Sequence, residues 1–160
     1  MSIKGEQMLN VGSNPRPSGE ATVTLGADVG GRDAHDATND AVLALRKCLQ
    51  AACTEPYSKV LSKIHLLVQI DGSIQSWGKS GVDRVFIRPA LACATADIFV
   101  PSDEWQTPAR FRAFLARSVV EAVSKVGERA VQRKQPLALE RLEQDVESAV
   151  KSFLSEDACT

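Results

Sequence analysis

The chain has 160 residues, with 19 Lys+Arg against 20 Asp+Glu and a formal net charge of -1 at pH 7. At this length one globular domain is expected, with a core large enough to hold it together without staples. So near neutrality no net basic field draws the chain onto nucleic acid or anionic lipid, and neither direct nucleic-acid binding nor membrane attachment is expected. The first residues, MSIKGEQMLNVGSNPRPSGE, lack the apolar core of a signal peptide. No run approaches the roughly 18 apolar residues of a membrane span, so the expected location is cytoplasmic. Cys48, Cys53, Cys93 and Cys159 are neither dense nor paired as CxxC. They read as ordinary structural thiols, with neither a disulfide framework nor a zinc site indicated.

Residues 1–20 hold Gly5, Gly12, Pro15, Pro17 and Gly19 and read as a flexible lead-in to a single domain over 21–155, with a tail at 156–160. Thr22-Val23-Thr24-Leu25 alternates polar with apolar as a half-buried strand does, and Gly26, Gly30 and Gly31 then punctuate a loop. Asp36 or Thr38 can cap the helix that follows, whose apolar residues Ala41, Val42, Leu45, Cys48, Leu49 and Ala52 recur at three and four until Pro56 stops it. Ile64 to Ile70 reads as a strand, Asp71-Gly72 as a hairpin turn and Ser73 to Trp77 as the return strand. Further strands are expected over Val82 to Arg88 and Ala94 to Val100, completing an antiparallel meander.

Thr107-Pro108 starts a helix: the threonine caps, and the proline fills the first turn, where its missing N–H costs nothing. Phe111, Phe114, Leu115, Val119, Ala122, Val123, Val126 and Ala130 share one face of it. Gln135-Pro136 interrupts, and Leu139, Leu142, Val146, Ala149, Val150 and Phe153 mark a last helix. The order predicts an α+β fold: an antiparallel sheet of about four to five strands packed on one face by an N-terminal helix and two C-terminal helices.

Charge is unevenly placed. Residues 20–40 carry five acids against Arg32, and 140–160 carry six acids against Arg141 and Lys151. Between them, 107–134 carries seven bases against Glu121 and Glu128. Such clusters can steer a charged partner, or they can be no more than the wet faces of helices. Catalytic signals are thin. His35 and His65 are the two histidines, and no HExxH, GxSxG or Walker lysine motif occurs. His65 on a strand near Cys93 could in principle make a thiol–imidazole pair, but two expected strands do not show that the side chains share a face. The glycine-rich loop from Gly26 to Gly31 has the placement of a phosphate cradle, but Asp28, Asp33 and Asp36 would repel phosphate and suit a divalent metal better. Trp77 beside a turn is a candidate interface anchor, and Trp105 is read as closing the end of the core.

The segment Ala96-Asp97-Ile98-Phe99-Val100-Pro101-Ser102-Asp103-Glu104-Trp105 runs into a helix holding Arg112-Ala113-Phe114-Leu115. It resembles the C-terminal half of bacterial immunity proteins from polymorphic-toxin and contact-dependent growth inhibition systems. The resemblance implies a small cytosolic α+β protein without catalytic residues or cofactor, a monomer or dimer, which binds the C-terminal domain of a cognate toxin and neutralises it. The acidic residues would then cover a basic toxin such as a nuclease. On charge and exposed aromatics alone, the candidate interface is Asp28, Asp33, Asp36, Asp40 and Trp77. The alternatives are a small-ligand or metal-dependent enzyme using the Gly26 to Asp36 loop, and a scaffold that oligomerises through the C-terminal helices.

Overall fold

The computed structural model describes residues 22–29, 35–54, 56–70 and 80–155. Four strands and three helices occur among them: β1 (Thr22–Val29), α1 (His35–Ala52), β2 (Lys63–Ile70), β3 (Gly81–Arg88), β4 (Cys93–Val100), α2 (Pro108–Gln132) and α3 (Leu139–Leu154). The α+β class expected from the sequence holds. The antiparallel arrangement does not: the order is β1-β2-β4-β3, with β1 and β4 both parallel to β2, and only β3 antiparallel to its neighbour β4. The turn expected at Asp71-Gly72 and the return strand from Ser73 to Trp77 lie outside the described residues.

Two features explain the departure from a meander. β4 places Ala94, Ala96, Ile98 and Val100 on its inner face, all fully buried, whereas β3 carries exposed Asp83, Arg84, Phe86 and Arg88. A strand buried along its length belongs inside a sheet, and a charged one tolerates the edge. β4 therefore inserts between β2 and β3. The second feature is the turn that joins β3 to β4. Pro89–Leu91 forms a 3-10 turn closed by Ala92 in the left-handed region at φ 51°, and the Ala92 carbonyl accepts both the Ser62 N–H (2.8 Å) and the Ser62 hydroxyl (3.1 Å). This pins the start of β2 beside the start of β4, so the two run the same way.

All three helices cover one face. Ile64, Leu66, Val68 and Ile70 of β2 alternate inward with Val23 and Leu25 of β1, and meet Leu45 and Leu49 of α1, Phe111 and Leu115 of α2, and Leu142 and Phe153 of α3 in one continuous core. Full burial of each such side chain contributes about 1.5–3 kcal/mol before entropy is counted. α3 packs against both α1 and α2. The segment between α1 and β2 is tied to it by Tyr57, whose hydroxyl donates to Asp145 Oδ2 (2.5 Å) and whose carbonyl accepts from the Ala138 N–H (2.7 Å).

Local readings are corrected in three places. Gly26 lies within β1 and not in a loop, with the His65 ring against it: a Cβ there would meet His65 Cε1 at 3.3 Å. α1 begins at His35, so Asp36 and Thr38 sit inside its first turn and do not precede it as caps. Cys48 is disulfide-bonded and no free thiol, while Cys53 and Cys93 are free. The Thr107-Pro108 start is as expected, with the Thr107 hydroxyl oxygen accepting from the Arg110 N–H at 3.2 Å.

α2 ends in a Schellman arrangement: the Gln135 N–H donates to the Ala130 carbonyl (2.8 Å), the Lys134 N–H to Val131 (3.1 Å), and Lys134 adopts φ 55°. Glycine usually fills this position, because a side chain in the left-handed region costs roughly 1 kcal/mol. Lys134→Gly is therefore expected to stabilise the protein by about 0.5–1 kcal/mol, read from the urea midpoint at unchanged slope. A lower midpoint would show that the Lys134 side chain contributes more than its backbone conformation costs.

Candidate functional site

Parallel strands collect their C-terminal ends, and the N-termini of the helices that follow them, on one edge of a sheet, and ligands of open α/β sheets bind at such edges. Here β1 runs toward α1 and β4 toward α2, so the starts of both helices share that edge. Between them is a notch of about 320 Å³. Thr38, Asp40 and Ala41 of α1 form one wall, Trp105 and Pro108 the other, and Phe111 and Arg112 of α2 the rest of the lining.

Each wall has a local cause. The 3-10 turn Ser102–Glu104 and the Thr107 cap turn the chain sharply after Pro101, which leaves Trp105 half-buried against the end of the core. Phe111 and Arg112 are one turn past the cap, where the three-and-four spacing aims them at α1 and α3. Arg112 donates to the Phe153 carbonyl at the end of α3 and lies 4.1 Å from the centroid of the Phe153 ring. A helix C-terminus and an aromatic face both favour a cation, so this charge is largely spent inside the protein. Asp40, exposed, is the acid in the lining. On the turn before α2, Asp103 lies 3.9 Å from Arg110 and Glu104 bonds the same guanidinium at 2.8 Å, so those two acids are paired.

Of the residues expected from the sequence, Asp40 lines the notch, Asp28 lies near the end of β1, and Asp36 lies in the first turn of α1, all at this edge. Asp33 and Trp77 lie outside the described residues. Thr38, Phe111 and Arg112 were legible as helix residues but not as notch lining, since nothing local says that two helix starts meet. The signal available was the close succession of Trp105, Pro108, Phe111 and Arg112 after a strand.

The sheet face away from the helices is half open. The Thr24 hydroxyl oxygen lies 2.8 Å from His65 Nδ1 and 3.4 Å from the Ile64 carbonyl, so with its proton on that carbonyl it accepts from an Nδ1–H. Burial, and then Lys63 and Arg46, lower the His65 pKa from 6.5, with Asp97 opposing, and hold the imidazole neutral at pH 7. Cys93 is on the same face one row away but donates to the Ala94 carbonyl (3.5 Å), so the two are not a thiol–imidazole pair. Burial also raises the Cys93 pKa, and it lifts that of Cys53 to about 11. Among the described residues no group of three or more His, Cys, Asp or Glu is placed to hold a metal ion.

No family model, curated protein or solved structure matches this chain. No helix among the described residues is long and apolar enough to cross a membrane.

The His65 environment sets a pH dependence. With its folded pKa below the unfolded value near 6.5, the unfolded chain takes up the proton first as pH falls, so stability present at pH 7.5 declines through about 6.5 and below. His65→Gln is expected to flatten that decline between about pH 7.5 and 5.5, measured by urea unfolding at each pH. Parallel pH curves for the two proteins would mean that His65 titrates alike in both states.

Proposed function

We propose that this chain is a binding protein of the immunity type, which neutralises a cognate bacterial toxin domain by covering its active site or substrate groove. The observation that carries the reading is the notch: a recess of about 320 Å³ with a half-buried tryptophan wall and the exposed carboxylate of Asp40 in its lining. Its size suits one long side chain of a partner. An arginine or lysine inserted there would lie against the Trp105 ring and near Asp40, the pairing of aromatic anchor and desolvated charge typical of interface hot spots. The segment that resembles immunity proteins, Ala96 to Trp105, supplies the later part of β4 and the Trp105 wall of this notch. Asp28 and Asp36 lie at the same edge and would extend the surface over a basic partner such as a nuclease; Asp33 and Trp77 belong to the proposed interface on the sequence alone.

A cytosolic location belongs to this proposal. The disulfide at Cys48 counts against it, because disulfides are rare where glutathione and thioredoxin keep thiols reduced.

The test is co-expression with the toxin C-terminal domain encoded by the adjacent upstream gene, scoring host survival and co-purification. Rescue is expected, with a stoichiometric complex that weakens as salt is added and by about tenfold or more in Asp40→Lys. Toxicity without rescue or complex would overturn the proposal. The enzyme alternative is read in parallel: stabilisation of the free protein to heat by Mg²⁺ or nucleotide would favour it.

A further inference from the structure

β3 closes the sheet on the side away from β1, and among the described residues no strand pairs with its outer edge. A groove of about 320 Å³ runs beside it. One wall is the unbroken run Val82 to Phe86, and the other is Lys125, Glu128, Arg129 and Gln132 of α2. Val82 and Val85 pack against the core whereas Asp83, Arg84 and Phe86 are exposed, so a cavity that touches all five borders the backbone edge of the strand and not one of its faces. The four α2 residues recur at three and four, a single stripe of the helix turned toward that edge. An edge strand facing a helix stripe across a groove is the arrangement into which an extended peptide adds as a further strand. The strand wall is roughly 16 Å long at 3.3 Å per residue, room for a short extended segment.

Charge selects the occupant. Arg84, Lys125 and Arg129 line the groove against Asp83 and Glu128, an excess of one base, and Arg88, Arg133 and Lys134 follow its two walls in sequence. Arg84 is partly committed, 4.0 Å from Asp97 and 5.5 Å from the Phe99 ring centroid, and Lys125 lies 3.5 Å from Glu121. Arg129, exposed in the last turns of α2, is the cation best placed to meet an incoming acid. Partly buried Val82 and Val85 supply apolar wall for alternate side chains. Arg84 and Val85 form a bulge opposite Ala96, with Arg84 at φ 54°, which bends the edge. A bulged edge resists docking with a flat edge of another folded copy, whereas a flexible segment can follow it.

We propose that this groove receives an extended acidic segment of a partner chain, added to β3 as a further strand of the sheet. The site is separate from the notch and does not rest on the immunity reading. The probe is a fluorescein-labelled octapeptide with valine at alternate positions and glutamate at the others. Its comparators are the same peptide with lysine for glutamate, and two forms N-methylated on alternate residues in opposite phase. Saturable anisotropy is expected for the glutamate peptide. Binding should be about tenfold or more weaker for the lysine peptide, for one of the two N-methylated phases and for Arg129→Glu, with slowed amide exchange confined to 81–88. Absence of saturable binding up to about 1 mM overturns the proposal. So does equal binding by the lysine peptide, by both N-methylated phases or by Arg129→Glu, or binding without protection of β3.

Discussion

The carbonyl of Ala92 accepts two hydrogen bonds from Ser62, and the order of the sheet depends on that junction. It sets the beginnings of β2 and β4 side by side, which makes the pair parallel and displaces β3 to the edge. Four inward residues of β4, two of them alanines, then lie over the centre of the sheet under α2. Small side chains there leave room for Phe111, Phe114 and Leu115 to descend from the helix. One-sided burial follows, because a sheet whose inner rows are wholly apolar and whose outer rows hold Thr24, His65, Thr95 and Asp97 has one face for helices and one for water.

Both proposed surfaces are consequences of this order. Had β3 lain between β2 and β4, the starts of α1 and α2 would be a strand further apart, and Trp105 would have no α1 wall to face. Had β4 been the edge, an apolar strand would border solvent beside α2, a template for aggregation and not for a selective peptide. The polar, bulged β3 at that position keeps the edge available while limiting what can pair with it.

Elements whose signals are local were legible in the residues. Alternation in Ile64–Ile70, Val82–Arg88 and Ala94–Val100 matches the strands to within a residue, and Thr107-Pro108 fixes the start of α2. Strand order was not legible, because pairing is decided by which run is buried on its inner face in the assembled sheet and by contacts such as that of Ser62 with Ala92, 30 residues apart. Gly26 misled for a related reason: a glycine between polar and apolar residues reads as loop punctuation, whereas here it lies within a strand with a neighbouring imidazole packed close over it. The notch suffered from both limits. Its residues were visible one by one, as Asp40 in a helix and Trp105 before another, but their meeting depends on a parallel sheet that short-range pattern does not encode.

The uneven charge that composition conceals takes on direction in the fold. The groove beside β3 takes Lys125 and Arg129 from α2, while Arg110 and Arg112 at the start of the same helix lie by Asp103, Glu104 and the notch. Arg112, in the lining of the notch, directs its guanidinium to the end of α3 and the Phe153 ring and not to Asp40. The recess thus offers one exposed acid, Asp40, and the groove one more base than acid. Long-range attraction would orient a basic partner toward the first and an acidic segment toward the second before either made contact, which is the physical route by which one small domain can keep two opposite partners apart.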